Sequence, residues 1–274
     1  MGPFLQLHEY ATRVIHSSNR VSLPRVAAQP CASVTVPAAH ARACRMRVSR
    51  VAPHLLWVLA QNMKLTKLEH AALVLEASGQ KLFIDPGSFT TALTETANAA
   101  AIVITHEHPD HWTPEQLGRV IAMNPGVPIY GPAGVAAAAG DIAVNVVADG
   151  DTVQAGPFTL RFFGEKHAVI PSSIPVIDNV GVLVNDELFY PGDAFTVPEG
   201  LAVKTLAVPA GAPWLKIGEV MDYVLAVKPL RSFPTHEMGL SRGGKDLANA
   251  RIRTVTEQNG GTFFPLEPHE SLDL

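Results

Sequence analysis

Between Thr105 and Trp112 the chain reads Thr-His-Glu-His-Pro-Asp-His-Trp, so His106, His108, Asp110 and His111 fall within six residues. Residues two apart in an extended segment point the same way. His106 and His108 can therefore grip one ion from a single side. Asp110 and His111 lie past the turn that Pro109 favours and can aim at a second ion nearby. Imidazoles with one carboxylate form a nitrogen and oxygen site, which suits Zn, Mn or Fe. The helical zinc-protease pattern does not apply. It needs histidine at position 110, where Asp110 stands, and Pro109 opposes a helix there.

The elements that must position these groups can be read on either side. The apolar run from Ala99 to Ile104 predicts a buried strand ending at the cluster. Thr113 as N-cap, with Pro114 first and Glu115 and Gln116 in the first turn, predicts a helix over 114–123 that stops at Asn124-Pro125-Gly126. Upstream, strands are expected at 63–68, 71–77 and 81–85, the last two joined by Ser78-Gly79-Gln80. The last strand runs into the turn Asp85-Pro86-Gly87. A short strand at 127–130 and a short helix at 133–139 follow. From Val144 the pattern turns strand-rich, with strands at 144–148, 152–154, 158–163, 180–184, 187–190 and 205–208. A helix at 217–227, a strand at 231–234, a helix at 245–258 and a strand at 262–264 close the series. Strands followed by strand–helix alternation occur twice. This suggests two similar halves, 63–143 and 144–265, packed sheet on sheet with helices outside. His269 and the tail after Pro268 read as exposed.

Three further polar residues follow strand ends: His167, Asp193 and His236. Alone each is weak, because a lone histidine is more often a hydrogen-bonded group than a ligand. Together they complete two shells. His106, His108 and His167 could hold one ion, Asp110, His111 and His236 the other, and Asp193 could bridge them. Glu107, between two ligands, should point away.

Bulk properties bound the remaining choices. The chain has 274 residues and a net charge of −4, which does not point to nucleic acid. No apolar run approaches the ~20 residues needed to cross a bilayer. Residues 1–62 carry seven arginines and no lysine against Glu9 alone, and contain both cysteines, Cys31 and Cys44. The rest is clearly acidic and has no thiolate for a metal site. The leader lacks hydrophobic periodicity and is read as a disordered or non-native extension, with Met63 the natural start and a transit peptide as the alternative. Residues 63–274 form the folded domain. A cytoplasmic location, a small-molecule substrate, and neither nucleic acid nor membrane are expected; self-association stays open.

These residues resemble the metallo-β-lactamase superfamily. Asp85, His106-x-His108-x-Asp110-His111, His167, Asp193 and His236 match its five ordered motifs over residues 63–265. The resemblance implies an α+β fold, a four-layer αββα sandwich with the metal site at the edge between the sheets. Leu68-Glu69-His70-Ala71 with Ile84-Asp85-Pro86-Gly87 is similar to the ascorbate-6-phosphate-lactonase-like hydrolases, although Glu69 stands where that group usually has glycine. A cysteine at the fourth motif would resemble lactam-hydrolysing enzymes, and Asp193 stands there instead. Asp85 would accept a hydrogen bond from a ligand or fix the metal loop. His70 either faces the site beside it or serves the structure.

The expected chemistry is hydrolysis. Two divalent ions, zinc first with Mn or Fe as alternatives, would share a water and lower its pKa. Asp110 would be the catalytic carboxylate that orients the hydroxide and takes its proton. Substrate contacts are expected from Arg242 and Lys245, in a sequence that opens a helix and could hold phosphate, and from Trp214, which reads equally as a pocket wall or as core packing. The substrate would be a lactone, ester, amide or phosphodiester. The rival class is a mononuclear or dinuclear iron oxidoreductase on the same fold, and a third is a metal-binding regulator without catalysis. Flavodiiron-type proteins usually carry glutamate where His108 stands.

Overall fold

The structure is a computed structural model, and it describes residues 63–274. The expected extension at 1–62 lies outside the described residues. The first half supplies β1 (Lys64–Lys67), β2 (Leu73–Ala77), β3 (Gln80–Ile84), β4 (Ala99–Val103), α1 (Pro114–Met123), β5 (Ile129–Gly131), α2 (Ala133–Ala138) and β6 (Asn145–Val146). The second supplies β7 (Thr152–Ala155), β8 (Phe158–Phe163), β9 (Gly181–Val184), β10 (Leu188–Tyr190), β11 (Thr205–Pro209), α3 (Ile217–Val227), β12 (Arg231–Thr235), α4 (Arg242–Gln258) and β13 (Thr262–Phe263), and β14 (Ser271–Asp273) closes the chain. Two seven-stranded sheets result, ordered β14-β1-β2-β3-β4-β5-β6 and β13-β12-β11-β10-β9-β8-β7.

Side-chain alternation builds the layers. In β2, Leu73, Leu75 and Ala77 enter the core between the sheets while Val74 faces outward. Leu82 and Ile84 of β3 and Ala101 and Val103 of β4 likewise point in, and Phe83 and Ile102 point out. From the other sheet Val182 and Val184 meet them, joined by Phe158, Leu160 and Phe162. Leu117 and Val120 of α1 and Val135 of α2 cover the outer face of the first sheet. Val220 and Val224 of α3 and Ile252 and Val255 of α4 cover that of the second. The expected αββα sandwich is therefore the observed one.

Three boundaries differ from expectation. β6, placed by its sequence in the second half, pairs with β5 and belongs to the first sheet. His269 and the tail are largely exposed, as read, but a strand the sequence did not show forms there: β14 pairs antiparallel with β1 and joins the first sheet. α4 begins at Arg242 rather than Lys245, because the Ser241 hydroxyl caps the Gly244 N–H at 3.2 Å.

The start of α1 is as read. Thr113 accepts from the Gln116 N–H, and Asn124 closes the helix by donating to Val120 O and accepting from Ala99 N–H. That clamp ties the helix end to the start of β4, so the loop between them is held at both ends.

Candidate metal centre

Every candidate ligand sits just beyond a strand, at one edge of the sandwich. Asp85 follows β3, the 105–112 loop follows β4, His167 follows β8, Asp193 follows β10 and His236 follows β12. β3 and β4 run parallel, which sets their ends side by side. The Thr105 N–H and hydroxyl then donate to the two oxygens of Asp85 at 2.8 and 2.6 Å. The two sheets are tied at this edge by Val180 N–H donating to Thr105 O at 3.0 Å. Asn179 completes the tie: its side chain donates to Pro191 O and accepts the Asp193 N–H.

The ligand atoms form two groups. His106, His108, His167 and Asp193 make one, and Asp110, His111, His236 and His70 the other; within each, ligand atoms lie within 4.8 Å of one another. In the first, His106 Nε2 is 3.1 Å from His108 Nδ1, and His167 Nε2 is 3.4 Å from Asp193 Oδ2. In the second, His236 Nε2 is 3.3 Å from Asp110 Oδ2, and His111 Nε2 is 3.2 Å from Asp193 Oδ1. Ligands ~2 Å from a tetrahedral ion are roughly 3.3 Å apart, so both groups have the dimensions of a metal shell. Asp193 contributes to both, with Oδ2 also 3.1 Å from His236 Nε2.

The far nitrogen of four of the rings is already engaged. His111 Nδ1 meets Asp85 Oδ2 at 2.7 Å, His236 Nδ1 meets Gly211 O at 2.8 Å, and His167 Nδ1 meets Ala168 O. His106 Nδ1 lies 3.1 Å from the Thr105 hydroxyl, whose proton goes to Asp85. Such partners place the proton on Nδ1 and leave the Nε2 lone pair free. Among the described residues, the Nε2 atoms of His111, His167 and His236 and Oδ1 of Asp193 are buried with no hydrogen-bond partner. Buried polar atoms are rarely left so. A cation is what this donor set fits.

The electrostatics agree. Burial works against charge on His111, but Asp193 and Asp85 pull its pKa up to about 9. His236 is opposed by burial and raised well above the usual range by Asp193 and Asp110. Burial opposes ionisation of Asp110, yet the His236 ring 3.3 Å away and the N–H given by His70 hold it far below the usual carboxylate range. Burial keeps His106 neutral, helped by repulsion from His111. Metal ions and protons compete for the same lone pairs, so the raised histidines mark where positive charge is wanted.

The profile described as "Beta-lactamase superfamily domain" matches residues 64–236, most of the folded part and all the residues above. The chain belongs to this superfamily. "Protein Rv0786c" of Mycobacterium tuberculosis is 38% identical over 216 residues, 76% of this chain and 98% of that one. A protein of Aeropyrum pernix named "UPF0173 metal-dependent hydrolase" is 30% identical over 200 residues, 63% of this chain and 81% of the other. Among solved structures, Igni18, described as a metallo hydrolase from Ignicoccus hospitalis, superposes with a TM-score of 0.59 at 16% identity, covering 78% of this chain and 98% of its own. This chain shares the superfamily domain and carries two groups of His and Asp side chains that could hold metal.

The structure places His70 beside Asp110, with Nε2 3.1 Å from Oδ2. Its Nδ1 accepts the Met238 N–H at 3.3 Å, so Nε2 carries the proton and donates. That makes His70 a partner of Asp110. Glu107 points away from the ion groups, with its carboxylate against Gly134.

Three expected substrate contacts need correction. Arg242 is exposed and pairs with Asp246 at 3.6 Å. Lys245 lies 3.8 Å from Glu237 and 3.9 Å from Glu267. Neither lines the cavity beside the site, and Ser241 already occupies a donor of that helix start. Trp214 is no rim wall either: it is buried, and its Nε1–H donates to Asp193 Oδ2 at 2.8 Å.

Four supports do not show in the sequence reading: Thr105, Asn179, Lys67 and its partner Glu237. Thr105 and Asn179 are ordinary polar residues whose role appears only when strand ends meet. Lys67 is fully buried, paired with Glu237 and donating to Leu266 O at 2.9 Å. Its signal was available: Leu65 and Lys67 share the inward face of β1, and an inward lysine requires a buried acceptor.

Proposed function

We propose that this chain is a dinuclear metal-dependent hydrolase, zinc being the expected metal, acting on a small lactone, ester, amide or phosphodiester. The resemblance to the lactonase-like group supports the lactone among these. One observation carries the reading: three imidazole nitrogens and one carboxylate oxygen, all buried and without a hydrogen-bond partner, converge on one place. His106, His108 and His167 would hold one ion, Asp110, His111 and His236 the other, and Asp193 would contact both. When bound, the ions would lower the pKa of a water and polarise the substrate's oxygen.

The chain's own residues do the rest. Asp85, Gly211 O and Ala168 O fix the imidazole tautomers. Trp214 fixes the rotamer of Asp193. Asp110 accepts the N–H of His70, which aligns a carboxylate suited to orienting a water by accepting its hydrogen bond. His70 and Asp110 both open onto a cavity of about 430 Å³, where a small substrate would sit.

The test is metal analysis together with hydrolysis of ester and phosphodiester reporters by wild type and His108→Ala. Two equivalents of metal and loss of both metal and turnover in the variant are expected. Full turnover in a metal-free variant refutes the reading. Stoichiometric iron with oxygen uptake and no hydrolysis would favour the oxidoreductase class instead.

A further inference from the structure

The cavity beside the site has a polar floor and an apolar wall. His70, Asp110 and His236 form the floor, and Phe89, Pro213 and Leu240 the wall. Among the described residues, no lysine or arginine lines it. The side-chain N–H of His70 on the floor is already given to Asp110. Phe89 is half exposed at the mouth, its ring 4.7 Å from that of His70. The wall is built closely: a Cβ on Gly211 would come within 2.5 Å of the Leu240 side chain. Glycine there lets Leu240 close over the loop while Gly211 O holds His236.

We infer that the substrate is a carboxylic ester, lactone or amide whose acyl part is an uncharged aliphatic chain of a few carbons, seated against Phe89, Pro213 and Leu240. This deepens the hydrolase reading and rests on it. A charged substituent would lose its water to an apolar wall with no counter-charge. The ions would take up a phosphodiester's anionic oxygens, but no cationic side chain among the described residues of the cavity adds to them, since the two near this helix start are spent on Glu237, Glu267 and Asp246. A cavity of about 430 Å³ is at the small end for ligand sites. In the reaction, the water oxygen bonds the acyl carbon and the bond to the alcohol or amine breaks. The leaving group takes one proton of the water, and the other is released with the carboxylate.

The experiment has two independent arms on the metal-loaded protein. In the first, nitrophenyl acetate, butyrate, hexanoate and succinate are compared with bis(nitrophenyl) phosphate. kcat/KM should rise about fourfold per methylene from acetate to butyrate, about fifteenfold in all, and fall at least tenfold for the succinate against the butyrate. In the second, hexanamide binding is followed by calorimetry, which needs no turnover. Phe89→Arg, at an exposed position, should weaken hexanamide and improve the succinate. Hexanamide binding with no hydrolysis of any ester would sustain the pocket assignment and overturn the hydrolase reading. Phosphodiester turnover with no hexanamide binding would do the reverse. Equal rates along the acyl series, or a preferred succinate in the wild type, would overturn the inference.

Discussion

Replacing Lys67 by methionine should be costly out of proportion to its distance from the chemistry. Lys67 is fully buried and Glu237 nearly so, and the pair joins β1 to the loop that carries His236. Removing one partner of a buried pair leaves an uncompensated charge and costs about 3–5 kcal/mol. Lys245, 3.8 Å from the same carboxylate oxygen, relieves part of this, so the low end applies, about 3 kcal/mol. At about 2–4 °C per kcal/mol for a domain of this size, the midpoint should fall by roughly 6–12 °C. Replacing both partners with apolar groups removes the stranded charge, so Lys67→Met with Glu237→Leu should return to within about 1 kcal/mol of wild type. The assay is urea unfolding of wild type, both single variants and the double in excess chelator, so that metal linkage contributes nothing. A coupling above about 2 kcal/mol is expected. Single variants costing under about 1 kcal/mol, or a double whose cost is the sum of the two, would refute the argument. Metal affinity provides a second readout: Glu237 adjoins His236, so each single variant should bind metal more weakly than the double.

Asp85→Asn removes the acceptor that sets the His111 tautomer and should weaken metal binding about 10- to 100-fold by calorimetry while the chain still folds; unchanged affinity would remove Asp85 from the site. Gly87→Ala would put a Cβ 1.8 Å from the Asp110 carbonyl oxygen, so the metal loop must shift and metal content should collapse. Gly118→Ala, in the middle of α1 with nothing within 4 Å, should instead stabilise by about 0.5–1 kcal/mol in thermal unfolding. In the metal-free protein the raised pKa of His111, about 9, stabilises fully below its unfolded value near 6.5 and is lost as pH rises through 9. Zinc uptake at neutral pH should therefore release protons and tighten toward pH 9, seen as buffer-dependent binding heats; heats independent of buffer would contradict that state.

Whatever was local was legible. The 106–111 cluster, its strand and the capped α1 lie within 25 residues, and their signals are short-range: alternation, an N-cap, a proline and a stop. The sandwich followed because alternation says which face of each strand is buried. What was missed depends on pairing across the chain. β14 is three residues long, too short for a pattern, and exists because β1 offers it an edge. β6 has two exposed residues, so only its partner β5 tells which sheet it joins. Arg242 and Lys245 looked like an anion site because glycines and cations at a helix start can be one. Acids from distant positions, Glu237 and Glu267, decide otherwise. Trp214 looked like either core or rim, and its indole N–H settles on a carboxylate 21 residues back.

The backbone itself separates these supports from ordinary turn residues. His70, Asp85 and His236 have φ of 59°, 47° and 59°, a left-handed conformation that costs a non-glycine residue about 1–3 kcal/mol. In hairpin turns such values fall to residues like Asn185 and Asp186, which are at home there. Here they fall to two buried histidines and a buried aspartate. Each is over-determined by its neighbours: the His236 N–H donates to His70 O at 2.8 Å, and the Asp85 N–H donates to Val103 O at 3.0 Å. Asp85 also takes three hydrogen bonds on its carboxylate. Glycine at any of the three would relieve the backbone and lose the side chain that the site needs. The chain keeps the strained residue each time, which is the pattern expected where geometry is held for chemistry. By the same logic His70→Gly should fold at least as stably as His70→Ala yet share its loss of Asp110 alignment. A His70→Gly variant less stable than His70→Ala would show that the left-handed turn carries no strain.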